Sequence, residues 1–244
     1  MDKNQKSLIC LGVILGASFI ACALIFGLFF YNKKPIDNTL TVTGSAKKTV
    51  TSDLGKLIGS FSRTVTIYDL KSGYEQMASD LMIVKDFFKK QGIDEKLLVI
   101  SPVFMDQQYK YDSSGQAPTE YMLRQTIELQ LKDVNKITLL SSATQNLIKD
   151  GVLYSTQAPE YYYTDLAKTR IDLLGEAVKD AKARADKIAQ SGGQKVRSLN
   201  SASVGVTQVT SVNSIDSISD YGAYDTSKIE KEVMITVKTV FSLK

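Results

Sequence analysis

The sequence lacks the residues on which most enzymatic chemistry depends. Its 244 residues include no histidine and only two cysteines, Cys10 and Cys22, both in one apolar stretch near the N-terminus. Catalytic triads, Cys–His pairs, histidine proton shuttles and ordinary zinc sites require one or both of these residue types. We therefore expect no catalytic residue, no metal ligand and no cofactor, and a fold held together by disulfides is excluded.

Proline is also scarce, and the charge is nearly balanced. Only four prolines occur, and none lies in a stretch rich in proline, glycine and serine that would act as a linker. We therefore expect one compact domain at 35–244, preceded by a head and anchor at 1–34. Most of the net charge of +4 comes from four lysines beside the anchor, Lys3, Lys6, Lys33 and Lys34. The remainder is close to neutral, so we expect no nucleic-acid partner.

A long apolar run near the N-terminus predicts a membrane-spanning helix. From Leu8 to Tyr31 no residue is charged, and a helix of about 24 residues is about 36 Å long, enough to cross a ~30 Å hydrocarbon core. A secretory signal has a shorter apolar run and a small-residue cleavage site, which is not found before Lys33. We expect an uncleaved anchor. Cleavage as a signal sequence, and lipidation at Cys22, are the weaker alternatives.

The flanking lysines do not decide the orientation of this helix, because two lie on each side. A short head before a large C-terminal domain is the usual layout of a signal anchor, so we place the N-terminus in the cytoplasm. The chain is then a single-pass protein of the inner membrane with an extracytoplasmic, periplasmic C-terminal domain. Gly12 and Gly16 form a GxxxG pattern, which permits close helix approach or is simply small-residue filler, the interpretation we favour.

Hydrophobic periodicity predicts alternating strands and helices in the rest of the chain. Apolar residues alternate at 40–44 and 61–67, which indicates two strands. From Asp69 to Gln91 the spacing becomes three or four, which predicts a long helix that ends at Gly92. Its apolar stripe consists of Tyr74, Met77, Ala78, Leu81, Val84 and Phe88. Strands at 97–105 and 121–131, joined by a polar tip, predict a hairpin.

The second half of the chain repeats this order. A short helix at 134–149 ends at Gly151, a strand from Val152 leads into three tyrosines, and a second long helix covers 165–190. Its stripe consists of Ile171, Leu174, Val178, Ala181, Ala185 and Ile188. Alanines recur at 177, 181, 185 and 189, so we expect this helix to pack closely against a sheet or another helix. Strands at 196–209 and 229–243 enclose a polar loop. The repeated order predicts an α+β fold with two-layer antiparallel sheets, two long helices and an internal duplication.

Two segments resemble the SIMPL-domain (YggE-like) family. They are LTVTGSA at 40–46, and YYYTDL at 161–166 leading to AVKDAKARA at 177–185, of which the second is the more specific. The resemblance covers about residues 39–243 and departs from the family in the compact, polar connection that begins at Gly192. It implies an extracytoplasmic or membrane-anchored protein, a loose link to stress responses and the ability to form ring-like oligomers. It implies no enzymatic activity and assigns no site residue.

Several polar residues are candidate sites, and each also has a plain structural interpretation. Asp106, Glu120 and Glu160 are candidates for an acid–base pair, but their spacing does not indicate that they meet, and we expect solvated carboxylates. Asp216, Asp220 and Asp225 lack the spacing of a calcium loop. Tyrosines favour interfaces, and these lie at Tyr161, Tyr162, Tyr163, Tyr221 and Tyr224. We expect one tyrosine of the triplet in the core and another at an interface.

Two functions remain. The first, which we favour, is a membrane-anchored, non-enzymatic extracytoplasmic protein that acts by self-assembly or partner binding in envelope and stress maintenance. A homo-oligomer is expected, and the sequence names no specific protein partner. The second is a ligand-binding or hydrolytic domain that uses carboxylates and tyrosines in a cleft. A deep pocket with converging acidic groups would favour the second function.

Overall fold

The computed structural model describes residues 3–31, 38–108, 120–214 and 220–244. They form an α+β fold with two sheets, as predicted. Its helices are α1 (Lys3–Tyr31), α2 (Leu70–Lys90), α3 (Val134–Ala143) and α4 (Leu166–Ser191). Its strands are β1 (Thr39–Thr51), β2 (Leu54–Thr66), β3 (Leu98–Ile100), β4 (Phe104–Gln108), β5 (Glu120–Leu131), β6 (Tyr154–Thr156), β7 (Glu160–Tyr162), β8 (Val196–Val204), β9 (Gln208–Ser211), β10 (Ala223–Tyr224) and β11 (Glu230–Leu243).

One sheet has the order β1-β11-β9-β10, with β8 also paired to β11. The other has the order β3-β5-β2-β6, with β4 paired to β5 and β7 paired to β2. All pairs of this second sheet are antiparallel. The two-residue β10 departs from the prediction, because it lies inside the expected polar loop and pairs with β9 in parallel.

The chain divides into two compact units. The first comprises Met1–Thr43, Ala181–Ser203 and Lys238–Lys244. Its apolar core contains Val42, Ala181, Ala185 and Phe241. The backbone N–H of Leu243 donates to the carbonyl of Asn38 at 2.8 Å, and Lys195 and Lys244 exchange a reciprocal pair of backbone hydrogen bonds. The first and last strands therefore meet in this unit.

The second unit comprises Gly44–Asp180 and Val204–Val237 and contains two cores. The larger core consists of α2, α3 and inward side chains of β2 and β5, with Phe61, Phe88 and Ile127 almost fully buried. The smaller core joins Leu173 and Ala177 of α4 to β9 and β11. The expected boundary between 1–34 and 35–244 remains a prediction.

Helix α2 confirms the first long helix, and Gly92 follows it with φ of +72°. Its buried face differs from the predicted stripe. Met77 and Val84 are buried, but Tyr74 is 43% exposed because the buried row begins at its neighbour Gly73. A Cβ at Gly73 would lie 2.8 Å from Cγ1 of Val65, so glycine permits α2 to approach β2 closely.

Helix α4 confirms the second long helix but shifts its buried face to a strict four-residue spacing. The buried row consists of Thr169, Leu173, Ala177, Ala181, Ala185 and Ala189. Ile171, at 72% exposure, and Ile188, at 52%, belong to the predicted stripe but lie outside this row. Small side chains allow the backbone of α4 to lie near its neighbours, which places the alanines at the centre of the contact.

The predicted strands and short helix are present but subdivided. The hairpin has its first arm split into β3 and β4 around Pro102, and both pieces pair with β5. The predicted helix at 134–149 is α3 followed by a 3₁₀ segment, Thr144–Asp150, and Gly151 ends it with φ of +81°. The strand at 196–209 is divided into β8 and β9.

Candidate functional site

The tyrosine triplet and Tyr224 form a cluster in the second unit, which we name the tyrosine cluster. Strand β7 pairs with β2, and alternation along β7 turns Tyr161 inward and Tyr162 outward. The Tyr162 ring stacks on Tyr224 with 6.0 Å between ring centroids. The Tyr224 hydroxyl accepts a hydrogen bond from the backbone N–H of Tyr163 at 2.8 Å. The cluster therefore joins β7 to β10 through rings and hydrogen bonds.

Tyr161 is the core member of the cluster. Its side chain is 6% exposed, and its hydroxyl lies 2.6 Å from Oγ1 of Thr138. Since Thr138 already donates this hydroxyl hydrogen to the carbonyl of Val134, Tyr161 is the donor in the pair. The expectation of one tyrosine in the core is met at this residue. An interfacial role for another tyrosine stays a prediction.

Tyr162 is held by a carboxylate on its own strand. Its hydroxyl donates to Oε2 of Glu160 at 2.6 Å, and this hydrogen bond, with some burial, raises the pKa of Tyr162 to about 12. Glu160 thus acts as a hydrogen-bond acceptor that fixes the ring. Lys56, opposite Glu160 in register, forms an ion pair with Glu128 at 3.2 Å.

A buried lysine lies beside the cluster and was missed by the sequence analysis. Lys231 is completely buried, and its Nζ donates to the carbonyl of Lys228 at 2.7 Å and to that of Asp225. Burial lowers the pKa of this ammonium, and the charge of Asp225 opposes the effect. Lys231 therefore clamps the turn that leads into β11. The sequence does carry a signal for this burial, because Lys231 continues the period-two row of the inward residues Val233 and Ile235.

The carboxylate of Asp225 faces the same turn. It accepts a hydrogen bond from the backbone N–H of Ser227 at 2.8 Å. Burial raises its pKa, but hydrogen bonds from Ser227 and Ser211 and the nearby Lys231 charge outweigh that effect and lower the pKa overall. Asp225 thus has a structural partner on each side and remains ionised at neutral pH.

A cleft of about 460 Å³ opens next to these groups. Its wall includes Tyr161 and Thr138 on one side and Ser211 and Ile229 on the other, with Glu230 as the carboxylate among its lining residues. The volume is that of a small-molecule site. One carboxylate beside hydroxyls and an isoleucine provides hydrogen bonds, whereas the paired carboxylates of a glycosidase require a second acid.

The structure separates Glu160 from the other two acidic candidates. Asp106 and Glu120 lie on one face of the β4–β5 pair, since they oppose Met122 and Gln108 respectively. Asp106 forms an ion pair with Arg124 at 3.3 Å. Glu160 lies at the level of Gln130 in β5, which is about 26 Å along the strand from Met122.

The structure describes two of the three acidic candidates of the loop, Asp220 and Asp225. Asp220 is exposed and Tyr221 is 97% exposed, whereas Asp216 lies outside the described residues. Within 38–108, 120–214 and 220–244, no three acidic, cysteine or histidine side chains lie close enough to hold a metal ion. A second buried charge missed by the sequence analysis is Asp80 on α2, which Arg63 of β2 binds through two hydrogen bonds of 2.6 and 2.8 Å.

The comparison with known families agrees with this architecture. The profile of the SIMPL family, described as a protein of unknown function (DUF541), matches residues 40–241. The chain belongs to the SIMPL family. No curated protein matches it significantly. The SIMPL match therefore includes both sheets, the tyrosine cluster and α4.

Helix α1 precedes the SIMPL domain. Residues Leu11–Leu28 have a mean hydropathy of 2.5, and none of this window is buried against the rest of the chain. The helix is long and apolar enough to cross a membrane, and a signal sequence near an N-terminus has the same properties. The side chains of Phe19, Ile20 and Ile25 are each more than half exposed, so α1 presents large apolar side chains at its surface.

Proposed function

We propose that this SIMPL protein is tethered to the inner membrane by α1 and acts outside the cytoplasm, without enzymatic activity, through self-assembly or partner binding in envelope maintenance. The observation that carries the proposal is that none of the apolar window Leu11–Leu28 is buried. An apolar helix of 18 residues that exposes its side chains is stable in a hydrocarbon layer. The short head then lies in the cytoplasm and the SIMPL domain in the periplasm.

The side chains of the candidate site support binding and assembly over catalysis. Asp106 is paired with Arg124, Glu160 with Tyr162, and Asp225 with Ser227. Each carboxylate links neighbouring residues of the fold, and the two tyrosines that stack, Tyr162 and Tyr224, are partly exposed. Aromatic side chains with an apolar ring and a polar tip are enriched at protein interfaces.

The proposal is tested on the full chain in native membranes. We expect it to resist alkaline extraction, and protease added outside spheroplasts should digest the SIMPL domain. Light scattering after detergent extraction should give more than one copy of the 26.9 kDa chain, or one copy with a retained partner. A protein released by alkali, or one protected from external protease, contradicts the tether or the orientation. A lone copy contradicts the assembly.

The cleft supports a second candidate function, the binding of a small ligand. Its volume of about 460 Å³ and the hydroxyls of Tyr161 and Ser211 are suited to hydrogen bonding. A screen of small periplasmic metabolites by thermal shift tests this candidate. A ligand that stabilises the wild type but not a Ser211→Trp variant, which fills the cleft, would support it, whereas equal stabilisation of both would place binding elsewhere.

A further inference from the structure

Strand β8 is unusually open for a strand of nine residues. Eight of its nine residues are exposed, and the exception, Val196, is half-buried. Leu199, at 45% exposure, and Val204, at 56%, present apolar side chains to solvent. Among the described residues β8 pairs with β11 alone. Its other edge therefore offers backbone N–H and C=O groups without a strand partner.

The composition of β8 does not protect this edge. Exposed edge strands are usually guarded by lysines, prolines or bulges, which prevent pairing with another chain. The opposite edge of the same sheet, β1, carries the exposed Lys47 and Lys48. Strand β8 contains no proline, no glycine and one charged residue, Arg197. The β1 edge is therefore protected by lysines, whereas the β8 edge is suited to pairing with another strand.

We propose that β8 pairs with β8 of a second copy of this chain, antiparallel, about a two-fold axis at Asn200. The proposal rests on the self-assembly proposed above and names its surface. In this register Val196 lies opposite Val204 of the second copy at both ends, which forms two cross-strand pairs of β-branched side chains. Ser198 lies opposite Ala202, and Leu199 opposite Ser201. The sheet then continues from one copy into the next.

Charge selects the antiparallel arrangement. Arg197 of each copy lies opposite Ser203 of the other, and the two guanidinium groups are six positions apart, about 20 Å along the strands. In a parallel pair in register, Arg197 would lie beside its own copy, and like charges directly opposite each other destabilise a sheet. A foreign peptide would have to match this pattern by chance, whereas a second copy always matches it.

A cysteine at the axis tests the register. The full chain with Cys10→Ser and Cys22→Ser has no other thiol, so Asn200→Cys introduces one. Residues directly opposite have Cβ atoms about 4.5–5.5 Å apart, close enough for a disulfide after slight adjustment. We expect mild oxidation of membranes to convert most of this variant to a disulfide-linked dimer. Thr49→Cys, exposed on the guarded strand β1, is the matched control and should stay largely monomeric.

Two double variants test whether positions 199 and 201 face each other. Leu199→Lys/Ser201→Lys places like charges opposite each other, and Leu199→Lys/Ser201→Glu places opposite charges there. Both add charge to exposed positions, so folding, checked by circular dichroism, should be unaffected. We expect at least a tenfold weaker association for the first variant and near wild-type association for the second.

The outcomes of these experiments distinguish the β8 pairing from the self-assembly proposed above. Wild-type assembly that both double variants retain, with no Asn200→Cys cross-link, overturns the β8 pairing and leaves self-assembly standing. A wild-type chain that is monomeric in membranes overturns both. An Asn200→Cys cross-link to a different protein also overturns the second copy as the occupant of this edge.

Discussion

At the scale of residues, the ion pair of Arg63 and Asp80 combines two short hydrogen bonds with a buried carboxylate, and we expect it to stabilise the fold. Asp80 is 3% exposed and depends on the Arg63 guanidinium, whose side chain is one-third exposed. The hydrogen bonds that the Arg63 guanidinium donates to Asp80 raise the pKa of Arg63, although desolvation opposes this effect. A bidentate pair of this kind fixes the position of α2 against β2.

Removal of the cation should therefore be costly. Arg63→Met leaves a buried carboxylate without its partner and should destabilise the full chain by about 3 kcal/mol in denaturant unfolding. Arg63→Met/Asp80→Leu should recover most of this loss because both charges are gone. Arg124→Met, which breaks the half-exposed pair with Asp106, should cost less than about 1 kcal/mol. Equal losses in the two single variants would contradict the role of burial.

Tyr162 gives a pH-dependent prediction. Its pKa in the folded protein is raised to about 12 from an ordinary value near 10, so the folded state retains the proton more strongly. The stability contributed by the hydrogen bond to Glu160 is complete below pH 10 and is lost as the pH rises through 12. Tyr162→Phe lacks this contribution. The difference in unfolding free energy between wild type and variant should shrink from pH 9 to pH 12, and parallel curves would contradict it.

Residue-level chemistry was the hardest part to predict from sequence. The aromatic triplet was identified, but which tyrosine turns inward depends on how β7 pairs with β2, a contact between residues about a hundred positions apart. The period-two pattern of β11 places Lys231 on the inward face, but the carbonyls of Asp225 and Lys228 that satisfy its ammonium belong to a turn whose geometry no local pattern encodes. The sequence signal for such a buried charge is a charged residue on an otherwise apolar face, as Asp80 is on α2.

At the scale of elements, the sequence predicted well which helices and strands exist. It predicted less well which face of each helix is buried. Both long helices and the hairpin are present because their periodicity is strong and glycines end the helices. The face of α4 was predicted in part: the close packing expected of the alanine row that begins at Ala177 is confirmed, whereas Ile171 and Ile188 of the predicted stripe lie outside that row. Where α4 packs closely against its neighbours, the methyl group of an alanine fits, and the larger side chain of Ile171 lies outside the contact.

The alanine row of α4 predicts how the helix responds to larger side chains. Ala181 is fully buried in the core of the first unit, so Ala181→Leu should overpack that contact and cost about 1 to 3 kcal/mol. Lys182→Leu, on the exposed face, should change stability by no more than about 0.5 kcal/mol. Denaturant unfolding of the full chain in detergent measures both. The reverse ranking would show that the row is not the packed face.

At the scale of the whole molecule, we expect α1 to stay uncleaved and to hold the SIMPL domain at the membrane surface. Intact mass spectrometry of protein extracted from membranes should then show the complete N-terminus, including α1. The expectation follows from the apolar window Leu11–Leu28 and from the missing cleavage site before Lys33. Recovery of a soluble form that begins near residue 32 would identify α1 as a signal sequence.

The meeting of the first and last strands sets the order in which the chain can fold. Among the described residues β1 pairs only with β11, and the hydrogen bond from Leu243 to Asn38 spans almost the whole domain. Contacts of such long sequence separation form late. In the export that we propose, β1 is translocated early, and its edge stays unpaired until β11 has followed. Lys47 and Lys48 would then protect this edge from premature pairing.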